Sequence, residues 1–257
     1  MILVLAGTAD AREVIQTLKS EGYQLAATTV TSYGAELAQK AGADFVHKGA
    51  LKRDDIINFI QKHNIKAVVD ATHPFAVQIT RDTRESCKLL GLPYYRYRRP
   101  EAKLPSHPNL FWTKDWNKAV ELAACGQVIF LTIGSRNLNK FTLNAAIRQK
   151  RLVVRILPEV NSLARCHELG ISTKNIVALH GPFTYELNKE LYRFYGVDVV
   201  VTKDSGTTGG VEAKVQAALD LGLKVIVISR PVEPDSLELN QIIQYLRKDQ
   251  EKLSYRD

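Results

Sequence analysis

Short apolar runs rich in β-branched residues alternate with amphipathic segments along almost the whole chain, and this alternation constrains the fold more than any other feature. It is typical of repeated strand–helix units, which build parallel sheets covered by helices. In the first half we predict strands at Ile2–Ala6, Gln24–Thr29, Asp44–His47, Ala67–Ala71 and Pro93–Tyr97, and helices at Asp10–Glu21, Tyr33–Ala41, Lys52–His63 and Phe75–Leu90.

The alternation lapses once, in a polar stretch from Arg98 to Phe111 that contains three prolines. Prolines at this density disfavour both a helix and a strand ladder, so residues 98–111 are predicted to link two lobes, 1–97 and 112–257. In the second lobe we predict strands at Gln127–Thr132, Leu152–Leu157, Ile176–Leu179, Asp198–Thr202 and Lys224–Ser229, and helices at Lys118–Ala124, Leu138–Gln149, Tyr185–Tyr195, Gly209–Leu221 and Asp235–Lys252.

The predicted fold class is therefore α/β, with two tandem Rossmann-like doubly wound lobes whose parallel sheets face a central cleft. Ligands of such sheets bind at the carboxyl ends of the strands. Candidate functional residues are accordingly sought where each predicted strand ends.

Composition limits the partners and the compartment. The formal net charge of +8 favours an acidic ligand such as a phosphorylated cofactor or a polycarboxylate. The three cysteines form no C-x-x-C pair, which argues against disulfides and structural zinc and favours a cytoplasmic location; no metal site is predicted. No apolar run is long enough for a membrane span, and no membrane partner is expected.

The densest basic run, Tyr94–Arg99, interleaves tyrosines with arginines. Single-stranded nucleic acids bind to surfaces of this composition. The same residues also form a good strand that ends before Pro100, and we favour this interpretation. No nucleic-acid partner is expected.

The first predicted strand runs directly into the turn Gly7–Arg12 and then into a helix. Backbone N–H groups and a helix N-terminus in this position bind phosphate. The turn has one glycine where the full dinucleotide fingerprint has three, so an ordinary capped turn is the alternative. We predict that Gly7, Thr8, Ala9 and Arg12 bind a cofactor.

The second predicted strand ends in hydroxyl-bearing residues: Thr29, then Thr31 and Ser32. NAD sites usually carry Asp or Glu here to bind the ribose hydroxyls. Without that carboxylate, a 2′-phosphate is not repelled and hydroxyls can donate to it, so NADPH is predicted. The alternative is that these threonines only favour the strand.

The fourth predicted strand ends at Asp70, followed by Thr72 and His73. All three are predicted to border the cofactor. Unperturbed histidine titrates near neutral pH, which makes His73 a candidate general acid; a capping or packing role is the alternative.

Three strand ends of the second lobe carry glycines, hydroxyls and cations that suit an anionic ligand. We predict that the ligand is bound by Ser135, Arg136, Gly181, Pro182, Phe183, Lys203, Ser205 and Gly206. Asp204 is a candidate proton donor. The alternative for the last segment is a flexible turn in which Ser205 caps a helix.

Taken together, Gly7–Arg12, Asp70–Ala76, Arg96 with Arg99–Pro100, Gly181–Phe183 and Thr202–Gly206 resemble the precorrin-6A reductase family. The resemblance implies an oxidoreductase of cobalamin biosynthesis that uses NADPH to reduce one carbon–carbon double bond of a corrin-pathway macrocycle, with or without cobalt. On this resemblance the macrocycle is the partner of the second lobe, and Asp204, His73 or water delivers a proton. The chain is expected to be a monomer or a homodimer.

Two other functions fit the residues. One is a tetrapyrrole enzyme similar to uroporphyrinogen-III synthase, which needs no nucleotide. The other is a two-lobed protein that closes on an anionic ligand without catalysis. Binding and use of NADPH separate the reductase from both.

Overall fold

The computed structural model describes residues 1–254, so the last three residues of the predicted second lobe lie outside the described residues. The chain forms two compact units. One comprises Met1–Arg99 together with the described residues from Val232 onward, and the other comprises Pro100–Pro231. Within the described residues each unit contains one six-stranded sheet, and every strand pairing is parallel. The predicted α/β class with two parallel sheets is confirmed.

The first unit contains strands β1 to β5 and β12 and helices α1 to α4 and α10. Their bounds are β1 Ile2–Leu5, α1 Ala9–Ser20, β2 Leu25–Thr29, α2 Ser32–Lys40, β3 Phe45–Lys48, α3 Arg53–Lys62, β4 Ala67–Asp70, α4 Val77–Leu90, β5 Tyr94–Tyr97, β12 Ser236–Leu237 and α10 Leu239–Ser254.

The strand order of the first sheet is β3-β2-β1-β4-β5-β12. This is the strand order of a dinucleotide-binding sheet. Successive strands are added on one side of β1 up to β3 and then on its other side from β4 onward, so the strand order reverses between β1 and β4. Alternate residues of β1 supply two cores. Ile2 and Val4 pack with α1 and α10, whereas Leu3 and Leu5 pack with α3 and α4. A strand buried on both faces needs a continuous apolar run, which β1 has.

The second unit contains strands β6 to β11 and helices α5 to α9. Their bounds are β6 Leu110–Thr113, α5 Trp116–Ala123, β7 Val128–Thr132, α6 Asn139–Thr142, β8 Arg151–Ile156, α7 Val160–Glu168, β9 Ile176–Ala178, α8 Tyr185–Tyr195, β10 Val199–Lys203, α9 Val211–Leu219 and β11 Lys224–Ile228.

The strand order of the second sheet is β9-β8-β7-β10-β11-β6. It repeats the order of the first sheet, with β7 in the place of β1 and β10 in the place of β4. The sixth strand of each sheet is the strand that follows the fifth strand of the other sheet along the chain. The strand that follows β5 is β6, which lies beside β11, and the strand that follows β11 is β12, which lies beside β5.

The structure differs from the predicted domain division at two places. The segment from Val232 was predicted to belong to the second lobe, but it belongs to the first unit because β12 pairs with β5 and Ile242, Ile243 and Leu246 complete its core. The edge strand β6, Leu110–Thr113, begins in the last two residues of the predicted linker and continues into the predicted second lobe. Within the described residues, no helix is long and apolar enough to cross a membrane.

The helix predicted at Leu138–Gln149 is also wrong in extent. The structure has the four-residue helix α6 there, with 3-10 turns at Ser135–Asn137 and Ala145–Ile147 on either side. Asn144 caps the second turn through its side chain. Asparagine side chains compete in this way for backbone groups that a continuous helix would use.

Candidate functional site

The turn after β1 has the geometry of an anion site. Gly7 has a φ of +110°, and a Cβ built there would meet no heavy atom within 4 Å. Thr8 caps α1 by accepting a hydrogen bond from the Ala11 N–H, and its hydroxyl donates to the Ala71 carbonyl at 3.2 Å. The turn therefore leaves its backbone open to a ligand and is fixed to the end of β4.

The first turn of α1 contains an acidic residue whose charge is compensated internally. Asp10 is 2% exposed and forms an ion pair with Arg99, also buried, at 2.7 Å. A lone carboxylate beside a helix N-terminus would repel a phosphate there. Arg99 therefore preserves the ability of this helix end to bind an anion.

The end of β2 carries the hydroxyls that were predicted, but they are not equivalent. The hydroxyl of buried Thr29 donates to the Thr31 carbonyl at 3.2 Å, so its hydrogen is committed within the loop. Thr31 caps α2 by accepting from the Gly34 N–H, which leaves its own O–H to donate elsewhere. Ser32 is exposed, and exposed Lys48 pairs in register with Thr29.

Asp70 is fully buried at the end of β4 and accepts hydrogen bonds from several donors. These are the Thr72 N–H at 3.0 Å, the Thr72 hydroxyl at 2.7 Å, the Thr80 hydroxyl at 2.8 Å, the Tyr94 hydroxyl at 2.8 Å and Arg96 Nη1 at 2.7 Å. Burial and the Asp70 charge raise the pKa of Tyr94, so its phenol stays a donor. The predicted cofactor contact of Asp70 does not suit this environment: its carboxylate orients neighbouring side chains.

Arg96 connects this carboxylate to the C-terminal segment. It is 2% exposed. Its Nε donates to Glu233 at 2.9 Å, and its Nη1 donates to Asp70 and to the Thr72 hydroxyl. The basic run of β5 is thus largely internal, because Arg96 and Arg99 are both buried in ion pairs.

Thr72 and His73 follow Asp70 and are both half-buried. His73 Nδ1 accepts a hydrogen bond from the Phe75 N–H at 3.2 Å, so the neutral ring carries its proton on Nε2. The structure brings these two residues together with the Gly7–Thr8 turn at the point where the strand order reverses.

The second unit has the corresponding reversal between β7 and β10. Ser135 and Arg136 follow β7, and Lys203 ends β10; the Lys203 ammonium lies 4.0 Å from where a Gly134 Cβ would stand. Burial, and then the charge of Arg136, lower the pKa of Lys203 to about 8. Lys203 and Arg136, which are both predicted to bind the substrate, are therefore neighbours with like charge.

Asp204 does not stand free at the end of β10. Arg230 donates to both of its carboxylate oxygens at 2.7 Å, and Asp204 accepts from the Gly206 N–H at 3.3 Å. Helix α9 then begins after Gly210, with no side-chain cap on its N-terminus. Ser205 is buried and does not fill this capping position.

The third predicted segment, Gly181–Phe183, follows β9 and meets a basic residue of the neighbouring strand. The Phe183 ring centroid lies 3.9 Å from Cζ of Arg155. Asn188 on α8 accepts from Arg155 Nη1 at 2.8 Å and donates to the Phe183 and Thr184 carbonyls. The loop after β9 is thereby held over Arg155.

Lys214 on α9 is a second buried cation in this unit. It is 8% exposed, and its ammonium donates to the Gly209 carbonyl at 2.8 Å. Burial, and then the charges of Arg155 and Lys203, lower the pKa of Lys214 to about 7. The carboxyl end of this sheet therefore concentrates positive charge.

The sequence prediction assigned no role at these sites to Arg99, Arg155, Lys214 or Arg230, although Arg99 belongs to a motif that carries the family resemblance. Two of them carried a usable signal: Arg155 interrupts the apolar run of a predicted buried strand, and Lys214 lies among apolar residues of a predicted helix. Charged residues are rarely fully buried without a partner or a function.

Comparison with known proteins decides the family. Residues 1–247 match the family described as Precorrin-6x reductase CbiJ/CobK. The chain belongs to this family. It is 42% identical over 233 residues to a cobalt-precorrin-6A reductase of Priestia megaterium, covering 90% of this chain and 91% of that protein. It is 30% identical over 236 residues to a precorrin-6A reductase of Rhodobacter capsulatus, covering 91% and 89%.

A solved structure agrees. The structure of CobK precorrin-6A reductase superposes with a TM-score of 0.75 at 27% identity and covers 96% of both chains. The resemblance inferred from the motifs is therefore confirmed. As a precorrin-6x reductase, the chain is an oxidoreductase of cobalamin biosynthesis, which favours the reductase over the cyclase-like and non-catalytic alternatives.

Proposed function

We propose that this chain reduces one carbon–carbon double bond of cobalt-precorrin-6A with NADPH, giving the dihydro product and NADP⁺. One hydride and one proton are added to the macrocycle. The cobalt-containing substrate is favoured because identity is higher to the cobalt-precorrin-6A reductase of Priestia megaterium, 42%, than to the precorrin-6A reductase of Rhodobacter capsulatus, 30%.

The first unit suits the cofactor. The observation that carries the proposal is the open, positive-φ Gly7 turn at the reversal of the strand order, next to a second strand that ends without a carboxylate. Gly7, Thr8 and Ala9 would bind the pyrophosphate through backbone N–H groups at the start of α1. Arg12, one turn into that helix, adds positive charge.

Selection of NADPH over NADH is assigned to the end of β2. The hydroxyls of Thr31 and Ser32 would donate hydrogen bonds to the 2′-phosphate. Lys48 on the adjacent strand adds a cation that the sequence prediction did not include. Thr29 supports the loop, because its hydroxyl hydrogen is used by Thr31. Charge-assisted bonds of this kind are the stronger hydrogen bonds.

Thr72 and His73 would border the nicotinamide, and Asp70 would act through Thr72 as a positioning residue. NADPH supplies the hydride when it is bound, so no protein nucleophile is needed. The proton is assigned to His73 Nε2 or to water in preference to Asp204, because both oxygens of Asp204 are occupied by Arg230.

The second unit would bind the macrocycle. Lys203 and Arg136 provide charge for substrate carboxylates, Ser135, Ser205 and Gly206 line the same strand ends, and Gly181, Pro182 and Phe183 form the loop after β9. Charge complementarity of this kind sets orientation and association rate.

The test has two parts. Purified protein is mixed with cobalt-precorrin-6A and NADPH or NADH, and the corrin spectrum and nucleotide absorbance are followed; spectral change without nucleotide, or no turnover, contradicts the proposal. Separately, both nucleotides are titrated. We expect at least about a tenfold preference for NADPH, or about 1.4 kcal/mol. Ser32→Asp should weaken NADPH binding and spare NADH, whereas Ser32→Asn, its uncharged match, should spare both.

A further inference from the structure

Two buried cations of the second unit, Arg155 and Lys214, have hydrogen-bond partners but no acidic partner within the described residues. Arg155 is 5% exposed, and within the described residues neither Arg155 nor Lys214 forms an ion pair with an acidic side chain. The Nη2 atom of Arg155 is buried with no hydrogen-bond acceptor. An uncompensated buried guanidinium destabilises a fold by several kcal/mol.

A second orphaned group lies in the same row of the sheet. Leu131 pairs with Val154, so Thr132 is level with Arg155 on the next strand, and Thr132 pairs in turn with Thr202. Thr202 is fully buried, and its hydroxyl has no partner within the described residues. In-register residues of parallel strands point to the same face, so both orphaned groups face the helices α8 and α9.

Lys214 adds to the charge at this place without neutralising it. Its ammonium is held by the Gly209 carbonyl, and Arg155 and Lys203 are the charges that act on it. The surroundings are otherwise apolar, formed by residues such as Phe130, Tyr192 and Val200. Replacement of buried charges by apolar side chains of similar size is often neutral or stabilising, so stability alone does not account for these two cations.

We propose that Arg155 and Lys214 form a binding site for one carboxylate of the macrocycle, which becomes accessible in the plane of the guanidinium when the Phe183 ring moves away from Arg155. The inference rests on the proposed function, since it deepens the substrate side of that site. In the structure the ring covers the face of Arg155, and a carboxylate would instead accept from Nη2 of Arg155 and from the Lys214 ammonium. Charge-assisted bonds to guanidinium are well suited to carboxylate binding.

Movement of the Phe183 ring would change its packing against two glycines. A Cβ at Gly181 would lie 3.1 Å from the ring, so the ring packs closely against a residue without a side chain. The Phe183 carbonyl lies 4.0 Å from where a Gly210 Cβ would stand. Displacement of the ring would thus open the space between this loop and the uncapped start of α9.

The experiment compares Arg155→Met and Lys214→Met with wild type and with Arg151→Met. Arg151 is the matched control, because it is an exposed arginine at the other end of the same strand. Its guanidinium lies over the Tyr195 ring. Thermal unfolding is measured without ligands. Binding is measured calorimetrically with cobyrinic acid, a corrin polycarboxylate, with its fully methylated ester, and with NADPH.

We expect both test variants to unfold at or above the wild-type temperature, to lose about tenfold or more in affinity for the corrin acid, and to bind NADPH as before. Arg151→Met should bind the acid normally, and the ester should bind weakly to all forms. Unchanged affinity for the acid, or equal binding of acid and ester by wild type, overturns the proposal.

Two further arms keep the outcomes separate. If Arg155→Met does not fold, Lys214→Met and the conservative Arg155→Lys carry the test, and wild-type affinity in both overturns the inference. If wild type binds the corrin acid through these residues but does not oxidise NADPH with cobalt-precorrin-6A, the proposed function fails and the carboxylate site stands. Turnover with an unchanged KM for the macrocycle in both variants overturns the site alone.

Discussion

Both units bury basic side chains near the carboxyl ends of their sheets, but they treat the charges differently. In the first unit Arg96 pairs with Asp70 and Glu233, and Arg99 pairs with Asp10. In the second, Arg155 has an amide partner and an aromatic ring. Because the two sheets share one strand order, this difference arises from side chains and not from topology.

The difference fits the two ligands of the proposed function. In the first unit the buried cations have internal partners, and on the proposed function the backbone of the Gly7 turn binds the anion. In the second unit Arg155 and Lys214 have no acidic partner within the described residues, and on the proposed function a carboxylate of the macrocycle supplies one. Buried charges without partners are costly, so they are expected where a ligand completes them.

The largest effect is expected on the stability of the first unit, when an internal ion pair is removed. Asp70→Ala removes the partner of buried Arg96 and leaves several donors unsatisfied, so we expect the free energy of unfolding to fall by about 3–5 kcal/mol. Denaturant unfolding measures this. Glu121→Ala, which breaks the exposed pair with Lys118, is the control and should change little. Equal losses for the two variants would contradict the contrast.

A smaller effect is expected on the cofactor. Arg99→Ala leaves the Asp10 carboxylate uncompensated at the start of α1, so NADPH affinity should fall by about tenfold. Adding Asp10→Asn should restore part of the affinity, because the repelling charge is then removed. Nucleotide titration by fluorescence measures both. A double variant that binds NADPH no better than Arg99→Ala would show that the charge of Asp10 is not the cause.

In the second unit, Lys203→Ala should raise the KM for the macrocycle by about fivefold and leave NADPH affinity unchanged. Its control is Lys224→Ala, at the amino end of β11, where the ammonium lies over Phe111. Steady-state kinetics and nucleotide titration separate the two ligands. The reverse pattern, with NADPH affinity lost and the KM unchanged, would mean that the units have been assigned to the wrong ligands.

A further effect is a pH dependence of the stability. Lys214 faces Arg155 on β8 and Lys203 on β10, and its pKa is lowered from 10.5 to about 7. The unfolded chain therefore binds more protons between about pH 7 and 10.5, and this group makes stability rise with pH across that window. Below about pH 7 its destabilising contribution is complete.

Lys214→Met removes this contribution, so its gain in unfolding temperature over wild type should be largest near pH 6 and smallest near pH 10. Lys203, whose pKa is also lowered, still adds a rise in the variant. Thermal unfolding across the pH range measures both proteins. Parallel profiles would show that the pKa of Lys214 is the same in the folded and the unfolded protein.

The repeated strand–helix pattern predicted the fold class and most strands, because buried parallel strands need continuous apolar runs such as Ile2–Leu5. It did not predict β6 and β12. Both are short edge strands, of four and two residues, and β6 follows a proline-rich segment. Pairing of such strands depends on long-range neighbours that periodicity does not report.

The strand ends located the candidate residues, but they did not show which side chains are already engaged by other parts of the chain. Asp70 and Asp204 lie at predicted positions, but each forms an ion pair with an arginine distant in sequence. Asp70 pairs with Arg96, and Asp204 pairs with Arg230. Arg155 and Lys214 lie inside a strand and a helix, where a search restricted to loops does not look. Hydrogen-bond partners of this kind are set by tertiary packing.

The exchange of sixth strands has a consequence for synthesis on the ribosome. The core of the first unit needs Ile242, Ile243 and Leu246, and Arg96 needs Glu233, yet all four residues emerge only after the whole second unit has been translated. The second unit is continuous in sequence and so is available for folding earlier. The first unit, which on the proposed function binds the nucleotide, therefore completes its core only after its last segment has been translated.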